Sequence, residues 1–132
     1  MAITDKNGLP VAIRTTSASP HEVTLVEETL DGAFVDELAP KLIGDKAYDS
    51  DPLDKRLETE RNIELISPNK SNRKIKTQDG RQLRRYRRRW KVERLFAWLQ
   101  NFRRITTRWD YNDFNFEGFV LLGCIMILIK RF

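Results

Sequence analysis

A chain of 132 residues with one cysteine has material for one modest core, which excludes two independent domains and any disulfide framework. Its formal charge of +5 conceals a sharper division: residues 69–108 hold fifteen Lys or Arg against Asp79 and Glu93, leaving the rest of the chain net acidic. A solvated face usually interleaves both signs; a block of one sign suits a polyphosphate partner, nucleic acid first, because each cation that neutralises a phosphate releases condensed counterions.

In chain order, "MAITDKNGLPVAIRTTSA" alternates about a "DKNG" turn and predicts a β-hairpin with Asp5 to Gly8 at its tip, so Asp5 reads as a turn residue. "SASPHEVTLVEETLDG" predicts a short amphipathic helix with Ser19 as N-cap, Pro20 at the first helical position, Glu22 closing a capping box and Gly32 as the stop. His21 is the sole histidine, which excludes a histidine-based triad or zinc site built from this chain. Lys41 to Ile43 predicts a strand running into Gly44 and Asp45, and a second helix is expected from Asp51 and Pro52. Asp45 thereby sits at a strand's carboxyl end, where open α/β sheets gather ligands. "NIELISP" reads as a further strand closed by Pro68, followed by a polar, basic loop, "NKSNRKIKTQDG", with a turn at Asp79 and Gly80 that is expected to be mobile without a partner.

A long helix is expected from about Arg81 to Arg103 and an apolar core helix over 114–130. The run Phe119 to Ile129 is too short to span a bilayer and follows Glu117, so no membrane partner is expected. Cys124 within it reads as a buried thiol of a cytoplasmic protein, and "MAITDKNGLP" lacks the basic start and apolar stretch of a signal peptide. On the long helix, Val92, Leu95, Phe96, Leu99 and Phe102 form the stripe to be buried, while Tyr86, Arg89, Glu93 and Gln100 form a second stripe beside it. Glu93 is the sole acid between Tyr86 and Arg104. Taken alone it reads first as an intrahelical ion pair with Arg89 or Arg94, worth a few tenths of a kcal/mol. Asp45 gives it a second reading, since a helix packed on the strand end could bring the two carboxylates together.

"LIGDKAYDS" with "YRRRWKVERLFAWLQNFRR" resembles the carboxyl-terminal half of insertion-sequence transposases of the DDE class, whose catalytic core is ribonuclease H-like. That family's tyrosine, arginine, glutamate and lysine signature is matched by Tyr86, Arg89 and Glu93; Gln100 stands where the lysine belongs, removing a phosphate-contacting charge. "NFRRITTRWDYN" and the last helix extend the similarity over essentially the whole chain. The fold class implied is α/β, a partial ribonuclease H-like fold with a mixed sheet and flanking helices, lacking the first, central strand. The whole of 1–132 would be the carboxyl-terminal part of one catalytic domain, with 69–108 as its basic DNA-binding loop and helix.

The resemblance further implies that Asp45 and Glu93 are catalytic and hold Mg2+ in a two-metal site completed by an upstream aspartate, which Asp5 does not replace. The implied reaction is strand cleavage at insertion-sequence ends followed by strand transfer. Tyr86 and Arg89 would contact DNA near the cleavage point, with Arg85, Arg88 and Arg94 on the backbone. Trp90, Trp98 and Trp109 could stack on an unpaired base, although core packing is the first reading for each, and Asp49 could ligate metal or cap a turn. Implied partners are transposon and target DNA, the upstream transposase segment and, when complete, a second copy. The expectation is a truncated or split-frame transposase; the alternative is a non-catalytic DNA-binding regulatory fragment.

Overall fold

In the computed structural model, which describes residues 1–17, 19–77 and 80–131, the chain opens with the expected hairpin. Strand β1 (Ala2–Thr4) pairs antiparallel with β2 (Pro10–Ile13), placing Ala2 opposite Ile13. The tip is built by Asp5, whose carboxylate accepts the amide hydrogens of Asn7 and Leu9, both at 2.8 Å. Gly8 takes φ +80°, a conformation that costs a Cβ-bearing residue.

Helix α1 (Glu22–Asp31) starts later than the capping pattern suggests. Its N-cap is His21, acting through its backbone carbonyl, which receives the Thr24 amide at 3.0 Å. With the helix starting at Glu22 and no side-chain hydrogen bond at its cap, the capping box expected from Ser19 and Glu22 does not form. Strand β3 (Lys41–Ile43), helix α2 (Asp51–Arg61) and strand β4 (Glu64–Ile66) make a β-α-β unit with the strands parallel, Lys41 opposite Glu64 and their side chains paired. Asn62, in the left-handed region at φ 53°, ends α2 and turns the chain into β4.

The two ladders, β1–β2 and β3–β4, remain separate two-stranded sheets among the described residues, so the mixed sheet expected from the sequence is not formed. They meet through side chains: along β1, Ala2 faces a core of Ile13, Leu95, Leu99, Val120, Cys124 and Ile127, while Met1 and Ile3 face a second core of Val26, Leu30, Leu53, Leu57, Ile63 and Leu65. The alternation of a strand thus lets one short element serve both clusters.

The long helix is also divided. Gln82–Arg88 is a 3-10 stretch, α3 runs Trp90–Leu99, and a short α4 follows at Arg103–Thr106. In an α-helix Arg84 and Arg88, Arg85 and Arg89, and Arg87 and Lys91 would be like-charged i,i+4 neighbours. The longer rise of 3-10 geometry spreads those charges, and this stretch has too few apolar residues to drive α-helix formation by burial. Within α3, Leu95 and Leu99 are buried as expected, but Phe96 stays 43% exposed at the outer edge of the stripe.

Helix α5 (Asp113–Ile129) begins with Asn112, whose side chain accepts the Phe114 amide at 3.0 Å. It packs closely on the α3–α4 corner at Gly123, where an added Cβ would lie 2.8 Å from Ile105 and 3.0 Å from Leu99. Read as a core helix, it is buried on one side: Val120, Gly123, Cys124 and Ile127 face inward, whereas Leu122, Ile125, Met126 and Ile129 are exposed. Neighbouring elements cover one face, and among the described residues no helix is long and apolar enough to cross a membrane. Burial pushes the Cys124 thiol up to about 11, keeping it protonated at neutral pH.

Candidate functional site

Asp45 leaves the end of β3 immediately after Gly44, whose amide extends the ladder by donating to the Ile66 carbonyl at 3.0 Å. The Tyr48 ring lies against Gly44, where a Cβ would approach it to 3.0 Å, and so fixes the path of the turn. Desolvation, then the charges of Glu22 and Asp45, push the Tyr48 hydroxyl up to about 12. One Asp45 oxygen, Oδ1, caps the Lys46–Tyr48 turn by accepting the Ala47 amide at 2.8 Å. The other, Oδ2, faces Arg89 at 3.9 Å.

Arg89, at the entry to α3, is the centre of the arrangement. Its Nη2 lies 3.3 Å from Glu93 Oε1, and its Nη1 donates to the Tyr86 hydroxyl at 3.0 Å. The guanidinium is held firmly protonated, first through the Tyr86 bond and then by the Asp45 and Glu93 charges. Two acids separated by 47 intervening residues, one from a strand end and one from a helix, therefore meet at a single cation. The group is accessible, with Asp45 and Glu93 side chains 32% and 62% exposed.

The donor set suits a hard divalent ion: two solvent-facing carboxylates leave room for water and phosphate oxygens, the usual complement of Mg2+. Among the described residues no third acid, histidine or cysteine completes a metal-binding cluster.

The other basic residues divide. Arg85 and Arg88 are exposed on the 3-10 stretch and, with Arg84 and Arg87, form no ion pair among the described residues. Arg94 is engaged elsewhere: its guanidinium donates to the Asn7 carbonyl and lies 4.8 Å from the ring centroids of both Trp90 and Trp98. With Lys91, which donates to the Lys6 carbonyl, it docks the hairpin tip on α3, a structural role that the motif alone did not disclose. Trp98 packs against the first core under Arg94 and Arg131, while Trp90 and Trp109 stay exposed. Gln100 caps the end of α3.

Asp49 belongs to a different construction. Its side chain, 3% exposed, accepts the Lys70 amide at 2.7 Å and the Asn69 amide group at 3.3 Å, and pairs with Arg73. Arg73 also pairs with Asp51. The basic loop expected to be mobile is thus tied to the start of α2; the expected turn residue Asp79 lies outside the described residues. Nearby Asp54 is pushed up to about 6, by burial first and then by the charges of Asp49 and Asp51, and its Oδ1 is buried without a partner. Arg73 carries no local signal, since its two acids lie more than twenty residues upstream.

Comparison with known proteins shows the family. Residues 1–129 match the family described as "Transposase DDE domain". A curated protein of Burkholderia cepacia, "Putative transposase for insertion sequence element IS402", is 33% identical over 133 aligned positions, covering 95% of this chain. The chain spans 59% of that relative's length. No solved structure matches.

Proposed function

Because the chain belongs to the transposase DDE domain family, we propose that it acts in DNA transposition, through metal-dependent strand cleavage and strand transfer at insertion-sequence ends. The observation that carries this reading is the meeting of Asp45 and Glu93 at Arg89, on the border of the unpaired arginine surface. In this proposal Asp45 and Glu93 hold Mg2+. Bound there, the ions supply Lewis-acid stabilisation of the oxygens that enter and leave phosphorus.

The chain's own part is to position. Asp45 is oriented by its bond to the Ala47 amide, and Glu93 by its place in the first turn of α3. Tyr86 and Arg89 border the carboxylates and would hold the phosphate next to the scissile one. Arg85 and Arg88 offer exposed charge to the flanking backbone, which needs reach and sign rather than base recognition. Arg94, committed to the hairpin and two indoles, is assigned to scaffolding. The fold would be the carboxyl-terminal part of a ribonuclease H-like domain; the separation of its two ladders among the described residues supports that reading. An upstream segment would supply the remaining strand and acid, and association of two copies belongs to the same proposal.

The test is nicking of labelled duplex DNA in Mg2+ by the chain, alone and mixed with the upstream segment. Cleavage lost in Asp45→Asn and in Glu93→Gln, with duplex affinity retained, is the expected result. Cleavage indifferent to both substitutions would overturn the site. Binding without cleavage under every condition would leave the second reading, a regulatory DNA-binding fragment, which the exposed arginines of the 3-10 stretch favour.

A further inference from the structure

Arg89 occupies the place between the two carboxylates that a cation would take, and its contacts are those of a group that can leave. Its ion pairs at 3.9 Å and 3.3 Å are longer than the roughly 2.7–2.9 Å of a strong charge-assisted hydrogen bond. Among the described residues its one good hydrogen bond is to a neutral acceptor, the Tyr86 hydroxyl at 3.0 Å, with the ring centroid 5.9 Å from the guanidinium carbon. The side chain is 35% exposed, so water can solvate the guanidinium as it withdraws. By contrast Arg73, which holds Asp49 and Asp51, is 15% exposed and bonded to both acids. One arginine is built in, and the other is parked.

We infer that Arg89 is the resident counter-ion of the Asp45–Glu93 pair, a placeholder that a divalent cation displaces on entering the site. This rests on the metal-site reading above and adds a competition to it. Without a divalent ion the guanidinium offsets the repulsion between two carboxylates. On loading, it must give up both, and Tyr86 holds it at the rim where phosphate arrives. An ordinary intrahelical pair between Arg89 and Glu93 would have no reason to reach across to the end of β3; the contact with Asp45 is what makes the arginine a competitor for the metal.

The experiment is a Mn2+ titration of the full chain followed by electron paramagnetic resonance, with thermal melting to establish that each variant is folded. Wild type should bind Mn2+ saturably, and Glu93→Gln should abolish that binding. Arg89→Gln, which keeps a polar group but removes the charge, should bind it at least threefold more tightly. In parallel, the Arg89 Nε–Hε resonance in 15N-labelled wild type should move on adding Mg2+ and stay fixed in Glu93→Gln titrated the same way. Saturable binding that Arg89→Gln leaves unchanged or weakens, while Glu93→Gln still removes it, overturns the placeholder and spares the metal site. No saturable binding in either wild type or Arg89→Gln overturns both.

Discussion

Replacing Asp49 by alanine tests whether the basic loop is held by charge. The carboxylate is 3% exposed and takes the Lys70 amide at 2.7 Å, the Asn69 side chain at 3.3 Å and the Arg73 guanidinium. Hydrogen bonds to a charged group contribute about 1.5–3 kcal/mol each, and removing one partner of a buried pair costs about 3–5 kcal/mol. Two features reduce that cost. Arg73 keeps Asp51, whose side chain is 72% exposed and hydrated, and Asp54 loses a repulsive neighbour. The expected loss is about 2 kcal/mol, with Asp49→Asn intermediate because it preserves one acceptor without the charge. Urea denaturation should show a lower midpoint at unchanged slope. Trypsin should cut faster at Lys70, Lys74 and Lys76, and the Asp54 titration should move down from about 6. An Asp49→Ala protein within about 0.5 kcal/mol of wild type, with equal trypsin sensitivity, would refute the reasoning.

Asp54 also sets a pH dependence. Its folded value, about 6, lies above its ordinary 3.8, so between those values the folded state keeps a proton that the unfolded state has released, and its contribution to stability falls as pH rises through that window. Urea midpoints at pH 4.5 and 6.5 should show this decline in wild type relative to Asp54→Asn. Gly8→Ala should cost about 1–2 kcal/mol, because φ is +80° and the new Cβ would lie 2.6 Å from Arg94 Nη2; an accompanying change in tryptophan fluorescence would report the displaced guanidinium. In DNA binding, the double substitution Arg85→Ala with Arg88→Ala should make the slope of log affinity against log salt shallower by about 2, measured by fluorescence anisotropy; an unchanged slope would remove them from the interface.

The parts of the fold legible in the sequence are those written in local chemistry. The Asp5–Gly8 turn, the break after Ile43 and the Asp51–Pro52 helix start each depend on a few neighbouring residues. The approach of Asp45 to Glu93 was also legible, because a strand end and a helix stripe restrict where two acids can lie. Arg73 and the docking of Arg94 on the hairpin were not, since the acids of Arg73 and the Asn7 carbonyl that receives Arg94 lie more than twenty positions away, and a run of arginines reads alike whether it faces solvent, an indole or a carboxylate. The 3-10 stretch was missed for a related reason. Periodicity continued through Tyr86 and Arg89, and the repulsion that loosens the helix there is a property of the pattern of signs rather than of hydropathy.

The separation of the two ladders among the described residues has a mechanical meaning for the carboxylates. Asp45 rides on the half built around β3 and β4, and Glu93 on the half built around α3 and α5. Much of the seam between them is side-chain packing, such as Met1 and Ile3 against the second core, with the Phe34 amide bonded to the Val11 carbonyl among the backbone links. Surfaces joined in this way slide more easily than a continuous ladder stretches. The gap between the acids is therefore a compliant dimension, able to tighten or widen around whatever occupies it.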